Sequence, residues 1–212
     1  MSGTTQRDLV ANIASSDPER ALRLARAIDD PWFRCQALSY AAIAIESADR
    51  FRSTVAEAFR SAELLPDANR VVTVSSWPLK VLALRKERAR LAMETRRLLA
   101  LAATEPSPVR RADALQLVFG ATVSAEREVV VPVLEAFVAA CLQPLQDGKR
   151  NRKGESLLVT CIGATQRIHP EMAQRIVAQL TATHAQQAAR EIARTAQMSL
   201  DGMLSFPNIG GG

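Results

Sequence analysis

Two histidines, three cysteines and one basic glycine-flanked stretch are the residues of this chain with ligating or nucleophilic potential. Their spacing argues against each chemistry in turn. His169 and His184 fit no metal-ligand interval, and no cysteine or carboxylate pair completes a site around them. His169 stands before Pro170-Glu171, where a helix-capping role is expected. Cys35, Cys141 and Cys161 form no paired motif, and an odd, widely spaced set argues against a disulfide framework. They read as small core residues of a protein kept in a reducing, cytoplasmic compartment. The stretch GKRNRKGES (148–156) has the composition of a phosphate loop but lacks the Gly-Lys-Ser/Thr ending that opens a helix after a strand. There is no Gly-x-Ser-x-Gly or His-Glu-x-x-His. Carboxylates such as Glu19, Asp49, Glu126 and Glu171 sit where helices start, a stabilising position. The expectation is a non-enzymatic chain with no catalytic, cofactor-binding or metal-binding residues.

Charge is more informative. The formal net charge is +5, and residues 68–111 alone hold ten basic and three acidic side chains. On a helix predicted over 86–104, Leu84, Leu91, Leu98 and Ala102 share a buried face. Arg85, Arg88 and Arg96 fall on one adjoining stripe, with Lys86, Arg90 and Arg97 on another. Arg85, Arg88, Arg96, Arg97, Arg110 and Arg111 are therefore candidates for contact with a polyanion or an acidic partner. The loop residues Lys149, Arg150, Arg152 and Lys153 join them. A solvated helix face is the plainer reading of the same pattern. Aromatic residues make up only 4% of the chain, so the patch offers little for base stacking. Trp77, beside Pro78, reads as packing.

The elements that position these residues are helical. Ala, Leu, Arg and Glu favour helix, and Asp-Pro pairs at 17–18 and 30–31 mark helix starts. Helices are predicted at about 5–15, 18–28, 31–47, 50–64, 67–83, 86–104, 107–121, 125–144, 152–167, 170–184 and 186–203. The apolar run Val129–Leu142 is short and interrupted by Pro132 and Glu135, so it reads as a buried helix, not a membrane span. The N-terminal MSGTTQRDLV has no apolar leader segment. Two stretches, 70–77 and 127–133, are rich in β-branched residues and would read as strands in isolation. Their slots in the series argue for helix, with Pro78 expected to kink or split its helix after Ser76.

The chain also repeats itself. PWFRCQALSYAAIA from Pro31 recurs as PVRRADALQLVFGA from Pro108, with Arg34 on Arg111 and Leu38 on Leu115. NRKGESLLVTCIGA from Asn151 is a third copy. Such periodicity predicts an all-α fold: a right-handed α-solenoid of about five stacked helical hairpins with 10–11 helices. It would form one domain over 1–203, followed by a flexible tail at 204–212. Arg34 and Arg111 would line the concave side or brace the adjacent repeat.

The phrase DPERALRLARAIDDPWFRCQALSYAAIA resembles bacterial HEAT-like and tetratricopeptide-like repeats. It is most similar to the sensor repeats of bacterial signalling ATPases. That resemblance covers Asp17 to Ile45 and, less closely, 98–121. It implies a scaffold binding a protein partner on a concave or basic surface, with an acidic surface or peptide as the natural complement. Open terminal repeats would also allow end-to-end self-association. The alternative is a nucleic-acid-binding repeat protein using the basic patch. A third reading resembles the alkylpurine DNA glycosylases, which would need a catalytic acid (Asp113 at best) beside Trp32 and Trp77.

Overall fold

The computed structural model describes residues 2–204, and among them there are twelve helices and no strand. They form two compact units, one ending at Glu94 and one starting at Thr95. The first contains α1 (Gly3–Ile13), α2 (Pro18–Arg26), α3 (Pro31–Ile43), α4 (Ala48–Glu63) and α5 (Ala68–Leu84). The division falls within α6 (Arg88–Ala102). The second contains α7 (Pro108–Thr122), α8 (Arg127–Leu142), α9 (Arg152–Ile168), α10 (Pro170–Gln179), α11 (Ala182–Thr195) and the short α12 (Leu200–Met203). The predicted tail lies outside the described residues from 205 onward.

Helix starts are set where the sequence places caps. Asp17 accepts from the Arg20 amide, Asp30 from Trp32 and Asp67 from Arg70. His169 caps α10, its Nδ1 accepting the Met172 amide at 3.4 Å.

In the first unit α3 is the central helix, packed against α1, α2, α4 and α5. Cys35, Ala37, Leu38, Ala41 and Ala42 are fully buried there, and small side chains let the neighbours approach closely. In the second unit α9 takes that place, against α7, α8, α10 and α11. A Cβ at Gly163 would overlap Thr195 Oγ1, so the glycine permits the close approach of α11.

Both strand-like stretches are helical, within α5 and α8. Helix propensities differ by less than about 1 kcal/mol per residue, whereas burying a valine or leucine is worth about 2. Val71, Val72, Val74, Val81 and Leu82 are all buried in α5, so packing decides. Pro78 does not split this helix. It removes the amide that would bond the Val74 carbonyl, and the buried Cys35 thiol donates to that oxygen instead, at 3.6 Å.

Leu84, expected on the buried face of the following helix, is 43% exposed. The reason is local. Leu84 closes α5, and Lys86 turns the chain at φ 56°. The Lys86 amide donates to Ala83 O and the Glu87 amide to Leu82 O, forming a Schellman stop between the two helices.

The sequence repeat has a structural counterpart. Arg34 Nη1 donates to the carbonyl of Ile28, six residues back, at 3.2 Å, and Arg111 Nη1 donates to that of Glu105, also six back, at 3.1 Å. Arg34 also reaches Ser61 Oγ in the helix that follows its own, and Arg111 reaches Gln143 Oε1, the residue just past the end of its following helix. The repeated arginine is thus a brace within its own unit.

Candidate functional site

The predicted basic residues divide between the two units, and many are engaged internally. Arg85 donates to the carbonyls of Ile43 (3.3 Å) and Ile45 (2.9 Å) at the end of α3, and stacks over the Phe51 ring at 4.6 Å. It closes a helix end, as a cation at a C-terminus should. Arg88 and Arg97 have partners as well. Arg96 is exposed on α6.

In the second unit the geometry draws the remaining candidates together. Arg111 bonds Gln143, and Lys153 Nζ meets Asp113 Oδ2, which ties the start of α7 to the 143–151 segment and to the first turn of α9. The N-terminus of α9 is capped by Asn151, whose Oδ1 accepts the Gly154 amide at 2.9 Å. A Cβ at Gly154 would overlap the Cys141 carbonyl, so glycine is what lets α9 start against α8. Here lies a recess of about 780 Å³ with Lys149, Arg150, Arg152 and Lys153 on its walls and Val109 and Leu145 as aliphatic lining. A second hollow of about 440 Å³ shares Gly148, Arg150 and Asn151 with it.

The cations around the recess differ in how firmly they are held. Lys149 pairs with Asp147 at 2.7 Å, and this lysine holds the Asp147 carboxyl below its ordinary value. Arg110 pairs with Glu105 at 3.4 Å. The Arg152 guanidinium has no partner among the described residues. Arg150 is fixed: Nε donates to Glu155 Oε1 at 2.7 Å and Nη2 to the Gln179 carbonyl.

Glu155 is the acid that sequence reasoning missed. Its side chain is only 4% exposed, and it receives Arg150 on one oxygen and His184 Nδ1 (2.7 Å) and Thr181 Oγ1 (3.3 Å) on the other. Burial alone would raise its carboxyl, but the hydrogen bonds from Arg150 and His184 outweigh that and hold it below the ordinary value. A signal was available: in the repeat alignment Glu155 stands where Cys35 and Ala112 stand, and both are fully buried. A carboxylate in such a slot must find partners.

Ser156 Oγ lies 3.4 Å from His184 Nε2, so Glu155, His184 and Ser156 are ordered like an acid–base–nucleophile relay. The chemistry does not follow. The Ser156 hydroxyl donates to the Arg152 carbonyl of its own helix at 3.1 Å. The amides of residues 156 and 157, where an oxyanion would need donors, are committed to α9. The cluster is a pin holding the 143–151 segment and α11 against α9.

Asp113, the acid required by a glycosylase-like reading, sits at the surface against Lys153. In the first unit Trp32 lies under Arg70, whose guanidinium is 5.7 Å from its ring centre. No group of three or more His, Cys, Asp or Glu side chains that could hold a metal is present among the described residues. All three cysteines are free and buried, and burial pushes the Cys161 thiol up to about 12. No described helix is long and apolar enough to cross a membrane. No family model, curated protein or solved structure matches the chain.

Proposed function

We propose that this protein is a non-enzymatic helical-repeat scaffold of the α-solenoid kind, binding a protein partner in a reducing, cytoplasmic setting. One observation carries the reading: the same packing plan is built twice. Around α3 and again around α9, a central helix is covered by its neighbours in sequence. In a separate register, that of the sequence repeat, the Arg34 brace on α3 recurs at Arg111 on α7 with the same six-residue reach. Repeated hairpins of this kind bury a continuous core and leave an extended outer surface, which is what such arrays use for recognition. The three buried free thiols support the reducing compartment.

The test uses the full chain. As immobilised bait it should retain a discrete protein in fixed stoichiometry, and that protein, once purified, should titrate to saturation. Anisotropy titrations with labelled single- and double-stranded DNA and RNA over a salt series run in parallel. Tight nucleic-acid binding that falls steeply with salt would replace the scaffold reading with the nucleic-acid one. A light-scattering mass of a multiple of the chain would point to end-to-end self-association as the first partner.

A further inference from the structure

We infer that the recess between the start of α7, the 143–151 segment and the first turn of α9 is the docking site for an acidic linear peptide carrying an aliphatic anchor residue. The inference rests on the scaffold reading and names the partner's chemistry.

Three observations select that occupant. First, the cavity joins a cationic wall (Lys149, Arg150, Arg152, Lys153) to an aliphatic lining (Val109, Leu145). An aliphatic side chain fills the lining while flanking carboxylates reach the cations. Second, three of these cations already hold carboxylates in the structure. Lys149 and Lys153 hold theirs at the surface, with side-chain exposures of 79% and 55%, and their partners Asp147 and Asp113 are 51% and 38% exposed. Exposed pairs of this kind are weak and exchangeable. An incoming carboxylate can take the place of Asp147 or Asp113, while Arg152 offers a guanidinium with no partner among the described residues. Arg150 does not exchange, because Glu155, 4% exposed, and the Gln179 carbonyl lock it in place. Third, among the described residues the lining holds no aromatic side chain to stack on a base, which favours a peptide over a nucleic acid.

The assay is fluorescence anisotropy on the full chain with a labelled peptide of repeating Glu-Leu-Asp. Controls are its Gln-Leu-Asn counterpart, a Glu-Gly-Asp peptide without the anchor, and single-stranded DNA of equal charge. Saturable binding to the first peptide is expected. Loss of charge or loss of the leucine should each weaken it by about tenfold. The triple variant K149E/R152E/K153E should abolish binding while circular dichroism still shows a folded helical chain. The neutral K149Q/R152Q/K153Q serves if the charge-reversed chain does not fold. Binding that survives both variants, or DNA bound more tightly than the peptide, would overturn the recess assignment. If a captured protein partner binds both variants as well as it binds the wild type, the recess falls and the scaffold reading stands. If no protein partner is captured while DNA binds, both fall.

Discussion

Replacing Glu155 tests the central claim about the second unit, that one buried carboxylate pins both the 143–151 segment and α11 to α9. Hydrogen bonds to a charged group contribute about 1.5–3 kcal/mol net. The Arg150 side chain is 58% exposed and rehydrates readily when released, so its share is discounted to about 1 kcal/mol or less. His184, 19% exposed, loses its partner inside the structure and contributes the larger share. Together with the space left behind, Glu155→Ala should cost about 3 kcal/mol. For a chain of this size that lowers the melting temperature by about 6–12 °C. Glu155→Gln keeps the shape and can still accept from Arg150 while its amide faces His184, so it should cost only about 1–2 kcal/mol. The pH dependence has a fixed sign. The folded carboxyl lies below the ordinary glutamate value of 4.5, so its contribution is complete above that pH and fades as pH falls through the folded value. Wild type and E155Q should therefore differ at neutrality and converge in acid below about 4.5. Thermal unfolding by circular dichroism across pH reads this, with hydrogen exchange of the α11 amides locating the effect. If E155Q matches wild type at neutrality, or the gap persists unchanged in acid, the pin is not electrostatic and the reasoning fails.

Cys35→Ala should destabilise by about 1–2 kcal/mol by orphaning the Val74 carbonyl, and by less in a Pro78→Ala background, where a restored amide serves that oxygen; chemical denaturation of the four variants gives the coupling. Lys86→Gly should stabilise by about 0.5–1 kcal/mol, because Lys86 sits at φ 56° in the Schellman stop; an unchanged or lower denaturation midpoint would contradict it. Gly163→Ala should cost about 1–3 kcal/mol through overlap with Thr195, and Thr195→Ala should recover part of that loss; paired melting curves check both. The three thiols should resist a disulfide reagent in the native protein and react together on unfolding, as buried thiols raised well above neutrality must; a fast native phase would contradict this.

Much of the helical layout was legible along the chain. The Asp-Pro pairs at 17–18 and 30–31 and the capping residue His169 act locally, within one turn, so their roles can be read from neighbouring residues alone. The 77-residue repeat likewise placed Arg34 and Arg111 in equivalent positions, although their duty as braces depended on carbonyls that only folding brings near. Tertiary structure decided the rest. It made α5 continuous through Pro78, because the thiol that serves the Val74 carbonyl comes from α3. It also separated the candidate cations by environment. In sequence Arg85, Arg150 and Arg152 are alike, whereas in the fold two are spent on carbonyls and a buried carboxylate and the third is open. Charge is a property of a residue, but availability depends on partners brought in from distant parts of the chain.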